Sequence, residues 1–233
     1  MPRPIREEQR QQMTHDIKRS ARELMKDKGS AGLSLRAIAR DLGITAPAIY
    51  NYFPKLDDLI TALIIDAFQD LIRFMESASQ PAESPSMTAN FKAALLAFRR
   101  WALLNPIQFQ LLYGNPIPGY ERPLQETQQI AQQPHRLLVE LFETAMQNGE
   151  LVINPEIKIP PEIDQHLQLI AAYSPFEQNL DLKIIYMLIV AWTRIQGVLM
   201  LEMYQHLTVI VGNPEVFFEA QVDQIMREIG FQF

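Results

Sequence analysis

Apolar residues recur at spacings of three and four along almost the whole chain, and they alternate nowhere long enough to build a sheet. Between 8 and 28, Met13, Ile17, Ala21, Leu24 and Met25 form one stripe, closed by Gly29 and Gly32. Between 56 and 75 the stripe returns through Leu56, Leu59, Ile60, Leu63, Ile64, Ala67, Phe68, Leu71, Ile72 and Met75. Shorter helical patterns cover 34–41, 46–52, 88–104 and 162–173. Longer ones cover 124–148, where Pro134 is placed to kink or split the helix, and 181–207. Asn213-Pro214 opens a last helix with Phe218, Val222, Ile225 and Ile229 on one face. The brief alternation at 151–161 is interrupted by Pro155, Pro160 and Pro161, so it reads as loop. The fold class is all-α, with no internal repeat.

The chain has 233 residues, 48% of them apolar and 21% charged, enough for one or two globular domains. It has no cysteine, which excludes disulfides, a thiol nucleophile and a cysteine metal site, and its four histidines lack metal-ligand spacing. No phosphate-binding glycine loop and no nucleophile elbow occurs. The expectation is therefore a protein that is not an enzyme and carries no cofactor. The first residues lack the apolar run of a secretory signal, which favours the cytoplasm. The most apolar stretch, 182–203, holds Lys183, Arg194 and Glu202; its longest uncharged part, 184–193, is ten residues, against about 20 for a membrane span. It reads as a core helix.

Charge is unevenly spread. Residues 1–55 carry 11 Lys+Arg and 6 Asp+Glu, whereas 56–233 carry 10 and 21. A basic head on an acidic body suits a head that meets a polyanion.

Within that head lies Ser34-Leu-Arg-Ala-Ile-Ala-Arg-Asp-Leu-Gly-Ile-Thr-Ala-Pro-Ala-Ile-Tyr-Asn-Tyr-Phe53. Two short helices crossing steeply need a small residue at the crossing, and Ala39 supplies it. They need a turn that tolerates positive φ, and Gly43 supplies that. Ile38, Leu42, Ile44 and Ile49 are the apolar plugs. Ser34 and Thr45 can cap the two helix N-termini, and Pro47 falls in a first turn, where a missing N–H costs little. The pattern is that of a helix-turn-helix.

The long first helix, this segment with its Ala48-Ile-Tyr-Asn-Tyr-Phe53 ending, and the leucine-rich helix after it together resemble the tetracycline-repressor-type (TetR/AcrR) transcriptional regulators. The specific match covers about 10–65. It implies an N-terminal DNA-binding domain, 1–55, and a helical ligand-binding and dimerisation domain, 56–233. Trp192-Thr-Arg-Ile-Gln-Gly197 followed by Glu202 is similar to a Trp…His-Gly…Glu segment of one subgroup, with Gln196 in place of the histidine. The family usually carries a lysine three residues after the Phe; here Leu56 holds that place and Lys55 precedes it.

The second short helix is expected in the major groove, which admits one α-helix. Asn51 can pair an adenine edge, Thr45 can bond a base or a phosphate, and Ala46, Pro47 and Ala48 can touch thymine methyls. Tyr50 and Tyr52 offer hydroxyls to phosphates, Ser34 and the helix behind it can hold another, and Arg36, Arg40 and Lys55 can reach the backbone. Arg3, Arg6 and Arg10 read as a solvated tail, or as an arm for the minor groove. Such readers work as two-fold dimers, and the apolar surface of about 181–229 is the expected partner face. Large apolar side chains between 88 and 180 suit an apolar small-molecule effector: Phe98, Trp101, Phe109, Tyr113, Phe142 and Tyr173, with Gln108, His135 and Gln178 as polar anchors. The effector would release a repressor from its operator. The competing reading is a helical ligand-binding or interaction module that does not bind DNA.

Overall fold

The computed structural model describes residues 3–80, 86–173 and 181–232. The expectations placed on Gln178 and on the side chains of Arg3, Arg6 and Tyr173 fall outside what is described. Among the described residues the chain is helical throughout, and the nearest thing to a strand is one antiparallel bridge between Leu151 and Phe231.

The helices are α1 (Arg3–Lys28), α2 (Leu35–Asp41), α3 (Ala46–Ile49), α4 (Leu56–Ser79), α5 (Met87–Leu104) and α6 (Pro106–Tyr113). They continue with α7 (Leu124–Gln147), α8 (Pro161–Tyr173), α9 (Leu182–Met203), α10 (Leu207–Val211) and α11 (Pro214–Ile229). Two compact units emerge, one of Met1–Leu71 with Leu104–Gln132, the other of Ile72–Leu103 with Gln133–Phe233.

In the first unit α1 packs on α2 and on α6. Its stripe is dry: Ile17 and Ala21 have no exposed surface, and Ile38, Ile49, Leu59 and Phe109 are equally buried. Phe68, Phe109 and Tyr113 stack edge-on or tilted, 5.2–6.2 Å apart. In the second unit Phe91, Phe142 and Phe231 form a triangle of rings 4.8–6.4 Å apart. The bridge that carries Phe231 into it is flanked by Val152 N–H donating to the Gly230 carbonyl at 3.0 Å and Gln232 N–H donating to that of Glu150 at 2.8 Å. Glu150 also closes the start of α5, accepting from the Thr88 N–H and the Ser86 hydroxyl, each at 2.9 Å. The backbone donor of Thr88 is the main reason its carboxyl is held down at about 2.

Three expectations need correcting. The helix expected over 181–207 ends at Met203; Gln205 takes φ 63°, and α10 starts afresh at Leu207. The pattern over 46–52 is regular helix only to Ile49, after which Asn51 and Tyr52 donate to carbonyls three residues back and the turn tightens. Pro134 does not split α7, which runs through it.

Candidate nucleic-acid interface

α2 begins where the sequence places its cap: Ser34, extended at φ −152°, accepts from the Ala37 N–H at 3.2 Å. At its other end the chain must reverse. Gly43 does this at φ 64°, and the Ile44 N–H returns to the Ala39 carbonyl at 2.9 Å. Any side chain at position 43 would be strained in that backbone. Ser20, buried on α1, donates to the Asp41 carboxylate at 2.6 Å and ties the end of α2 to α1. Thr45 is a correction: its side chain makes no capping bond, and only its carbonyl is used, by Ala48 N–H at 2.9 Å.

The segment divides by face. Ile38, Ala39 and Ile49 are fully buried and Phe53 nearly so, while Leu42 and Ile44 are half-buried. Ser34, Arg36, Arg40, Thr45, Ala46, Pro47, Asn51 and Lys55 are exposed, Tyr50 keeps 42% of its surface, and Ala48 and Tyr52 are half-buried. Among the described residues Arg36, Arg40 and Lys55 enter no ion pair. Lys55 stands just before α4, its N–H donating to the Asp58 carboxylate at 2.8 Å, which closes that helix start. The arrangement is a wedge with a dry back and a front of hydroxyls, an amide and free cations, the group types that bond phosphates and base edges.

Arg10 is the residue that sequence reasoning misplaced. α1 starts at Arg3, so position 10 is helical, and Arg10 Nη2 donates to the Asn51 carbonyl at 3.3 Å while its guanidinium sits 5.9 Å from the Tyr52 ring centre. It braces the end of the wedge. The signal was its place seven residues before Ile17, two turns up the same helix face.

The effector candidates are shared between the units. Gln108, Phe109 and Tyr113 lie in the first, with Phe109 fully buried and Gln108 half-buried. Burial pushes the Tyr113 phenol up, and the nearby Arg122 works against that. Phe98, Trp101, His135 and Phe142 lie in the second; Trp101 is fully buried, Phe98 and Phe142 nearly so. Phe98 and His135 meet at Trp192, with centres 5.2 and 4.6 Å from its ring. One turn on, the Gln196 amide nitrogen is buried with no hydrogen-bond partner among the described residues. Glu202 takes a bidentate grip from Arg99, at 2.6 and 2.8 Å, so that bond first and foremost raises the guanidinium pKa.

Residues 17–63 match the family description "Bacterial regulatory proteins, tetR family". Residues 91–225, more than half of the chain, match "Tetracyclin repressor-like, C-terminal domain". The chain belongs to the TetR family. The HTH-type transcriptional regulators Rv1816 of Mycobacterium tuberculosis and Mb1846 of Mycobacterium bovis are each 30% identical to it over 93% of this chain and 92% of theirs. The crystal structure of SCO4313 superposes with a TM-score of 0.77 at 28% identity, covering 97% of this chain and all of the other. A Rhodococcus sp. RHA1 protein of unknown function has a TM-score of 0.70 at 20% identity, covering 93% and 95%. The protein is thus a transcription regulator of the helix-turn-helix, TetR type, a family of regulators rather than enzymes.

Proposed function

We propose that this TetR-family regulator is a dimeric repressor that leaves its operator when an apolar small molecule binds. The observation that carries the reading is the wedge: a dry face of Ile38, Ala39 and Ile49 behind an exposed front of Ser34, Arg36, Thr45, Tyr50 and Asn51. In this reading residues 1–55 dock on DNA and 56–233 hold effector and partner. α3 with the turn after it lies in the major groove. Asn51 reads an adenine edge, Ala46 and Pro47 touch methyls, and Ser34, Arg36, Tyr50, Tyr52 and Lys55 hold phosphates. Arg10 keeps Asn51 and Tyr52 in place rather than serving as a tail.

The dimer reading is supported by α9. Its most apolar 18-residue window has mean hydropathy 1.8, yet only 22% of it is buried within the chain. Ile189, Leu201 and Tyr204 are 45–46% exposed, and Val216 on α11 is 62% exposed. By length and composition α9 is long enough to cross a membrane, and the same surface suits a second copy of the chain. Phe98, Trp101, His135, Phe142 and Trp192 give the second unit an aromatic interior suited to an apolar effector. Effector preference for a form whose two heads are wrongly spaced lowers DNA affinity by its differential binding.

The test is a gel-shift titration of the full chain on the DNA upstream of its own gene, with and without a panel of apolar ligands. The expected outcome is a retarded dimer complex that one or more ligands dissolve. A complex that forms equally with every ligand contradicts release, and no complex favours the binding module without DNA contacts.

A further inference from the structure

The first unit contains a cavity of about 230 Å³ that none of the residues above explains. Its floor is apolar, with Ile64 on α4 and Leu111 and Leu112 at the end of α6, all buried. Its wall is the loop from Gly114 to Arg122. That loop is fastened twice near its C-terminal end. The Tyr120 and Thr61 hydroxyls are 3.0 Å apart, which pins it to α4, and Arg122 Nη2 donates to the Leu112 carbonyl at 3.3 Å, which pins it to α6. Just before these points Tyr120 N–H returns to the Ile117 carbonyl at 3.1 Å across Pro118 and Gly119, the latter at φ 77°. This is a tight turn whose second central residue favours glycine. The part of the wall from Ile117 to Arg122 is therefore held in place by hydrogen bonds.

Arg122 is half-buried and lines the cavity with one guanidinium nitrogen committed to a carbonyl. Among the described residues no carboxylate pairs with it, and none of the lining residues is acidic. This holds in a region, 56–233, where acidic residues outnumber basic ones two to one. A half-buried guanidinium with no carboxylate partner favours an anion on its remaining donors, in fork geometry that suits a carboxylate. The volume is below that of drug-sized pockets, which limits the apolar part to one ring or a short chain.

We infer that this cavity binds a small apolar monocarboxylate, its carboxylate on Arg122 and its ring or chain on Ile64, Leu111, Leu112 and Ile117. The site lies against α6, which packs on α1, the helix that carries the wedge. Occupation is thus placed to bias the DNA-binding form, and in that consequence alone the inference rests on the release reading.

Calorimetric titration of the full chain with benzoate and hexanoate, without DNA, tests the site, and benzamide and hexanamide serve as neutral controls. The expected result is saturable binding of an acid, weaker by about tenfold or more for its amide and for Arg122→Met, with part regained in Arg122→Lys. Ile117→Trp, which fills the cavity, abolishes binding with the protein still folded by circular dichroism. Absence of binding, or equal binding of acid and amide or of wild type and Arg122→Met, overturns the inference. A gel shift run alongside separates the two readings. Acid binding that leaves the DNA complex intact keeps the site and removes its part in release, whereas release by other ligands without acid binding does the reverse.

Discussion

Asn51 and Arg36 divide the work proposed for the wedge. Asn51 is exposed in the turn just after α3, held by Arg10 at its carbonyl with its amide left to solvent. Asn51→Ala is expected to cost about 1–3 kcal/mol of discrimination at one base pair, read as relaxed preference at that position in a binding-site selection. Arg36→Gln and Arg40→Gln are expected to weaken all sequences alike and to lower the slope of log affinity against log salt by about one each. A slope unchanged by either would remove that arginine from the phosphate contacts. Most of this front was legible, because hydroxyls, an amide and cations at fixed offsets from Ile38 and Ile49 leave little choice of face. Thr45 was half legible: its position as cap is right, but its hydroxyl is not used as one. Arg10 and Arg122 were not, since what defines them is a partner 41 and 10 residues away that no local pattern encodes.

At the scale of elements, ends matter more than middles. Glu150 holds the first turn of α5, and its carboxyl is held at about 2 against an ordinary 4.5. A depressed carboxyl stabilises the fold above its unfolded pKa, and that stability fades as pH falls through the native value. Glu150→Ala is therefore expected to cost about 1 kcal/mol at neutral pH. The gap from wild type should close between pH 4.5 and about 2, as followed by urea unfolding across that range. A gap that stays constant with pH would show that the carboxylate is not the cap. The Arg99–Glu202 pair joins α5 to α9, with side chains only 13% and 10% exposed. Glu202→Ala leaves the guanidinium with Glu215 alone at 3.9 Å and is expected to cost about 3 kcal/mol in the same assay, while Arg99→Met with Glu202→Leu recovers most of it. The helices themselves were legible from their period, and their ends less so. The stop at Met203 depends on a left-handed Gln205, a residue that carries no turn signal of its own.

For the whole molecule, the apolar exposure of α9 is the clearest demand for a partner. The sequence could show that α9 is apolar, but not which half is dry, because that depends on which of its faces α8 and α11 cover. Leu201→Glu, on an exposed part of α9, is expected to shift the protein from dimer to folded monomer in sedimentation velocity and to weaken operator binding at least tenfold. A variant that remains dimeric would move the interface elsewhere. The surplus of basic residues in 1–55 and of acidic residues in 56–233 was visible from composition, and a basic segment suits contact with a polyanion. Genome-wide footprinting with the purified full chain tests this account most directly. It predicts protected sites with two-fold sequence symmetry, half-sites about 34–36 Å or a multiple of that apart, all lost in the Asn51→Ala, Tyr50→Ala double variant. Protection without symmetry, or an identical pattern from the double variant, would contradict it.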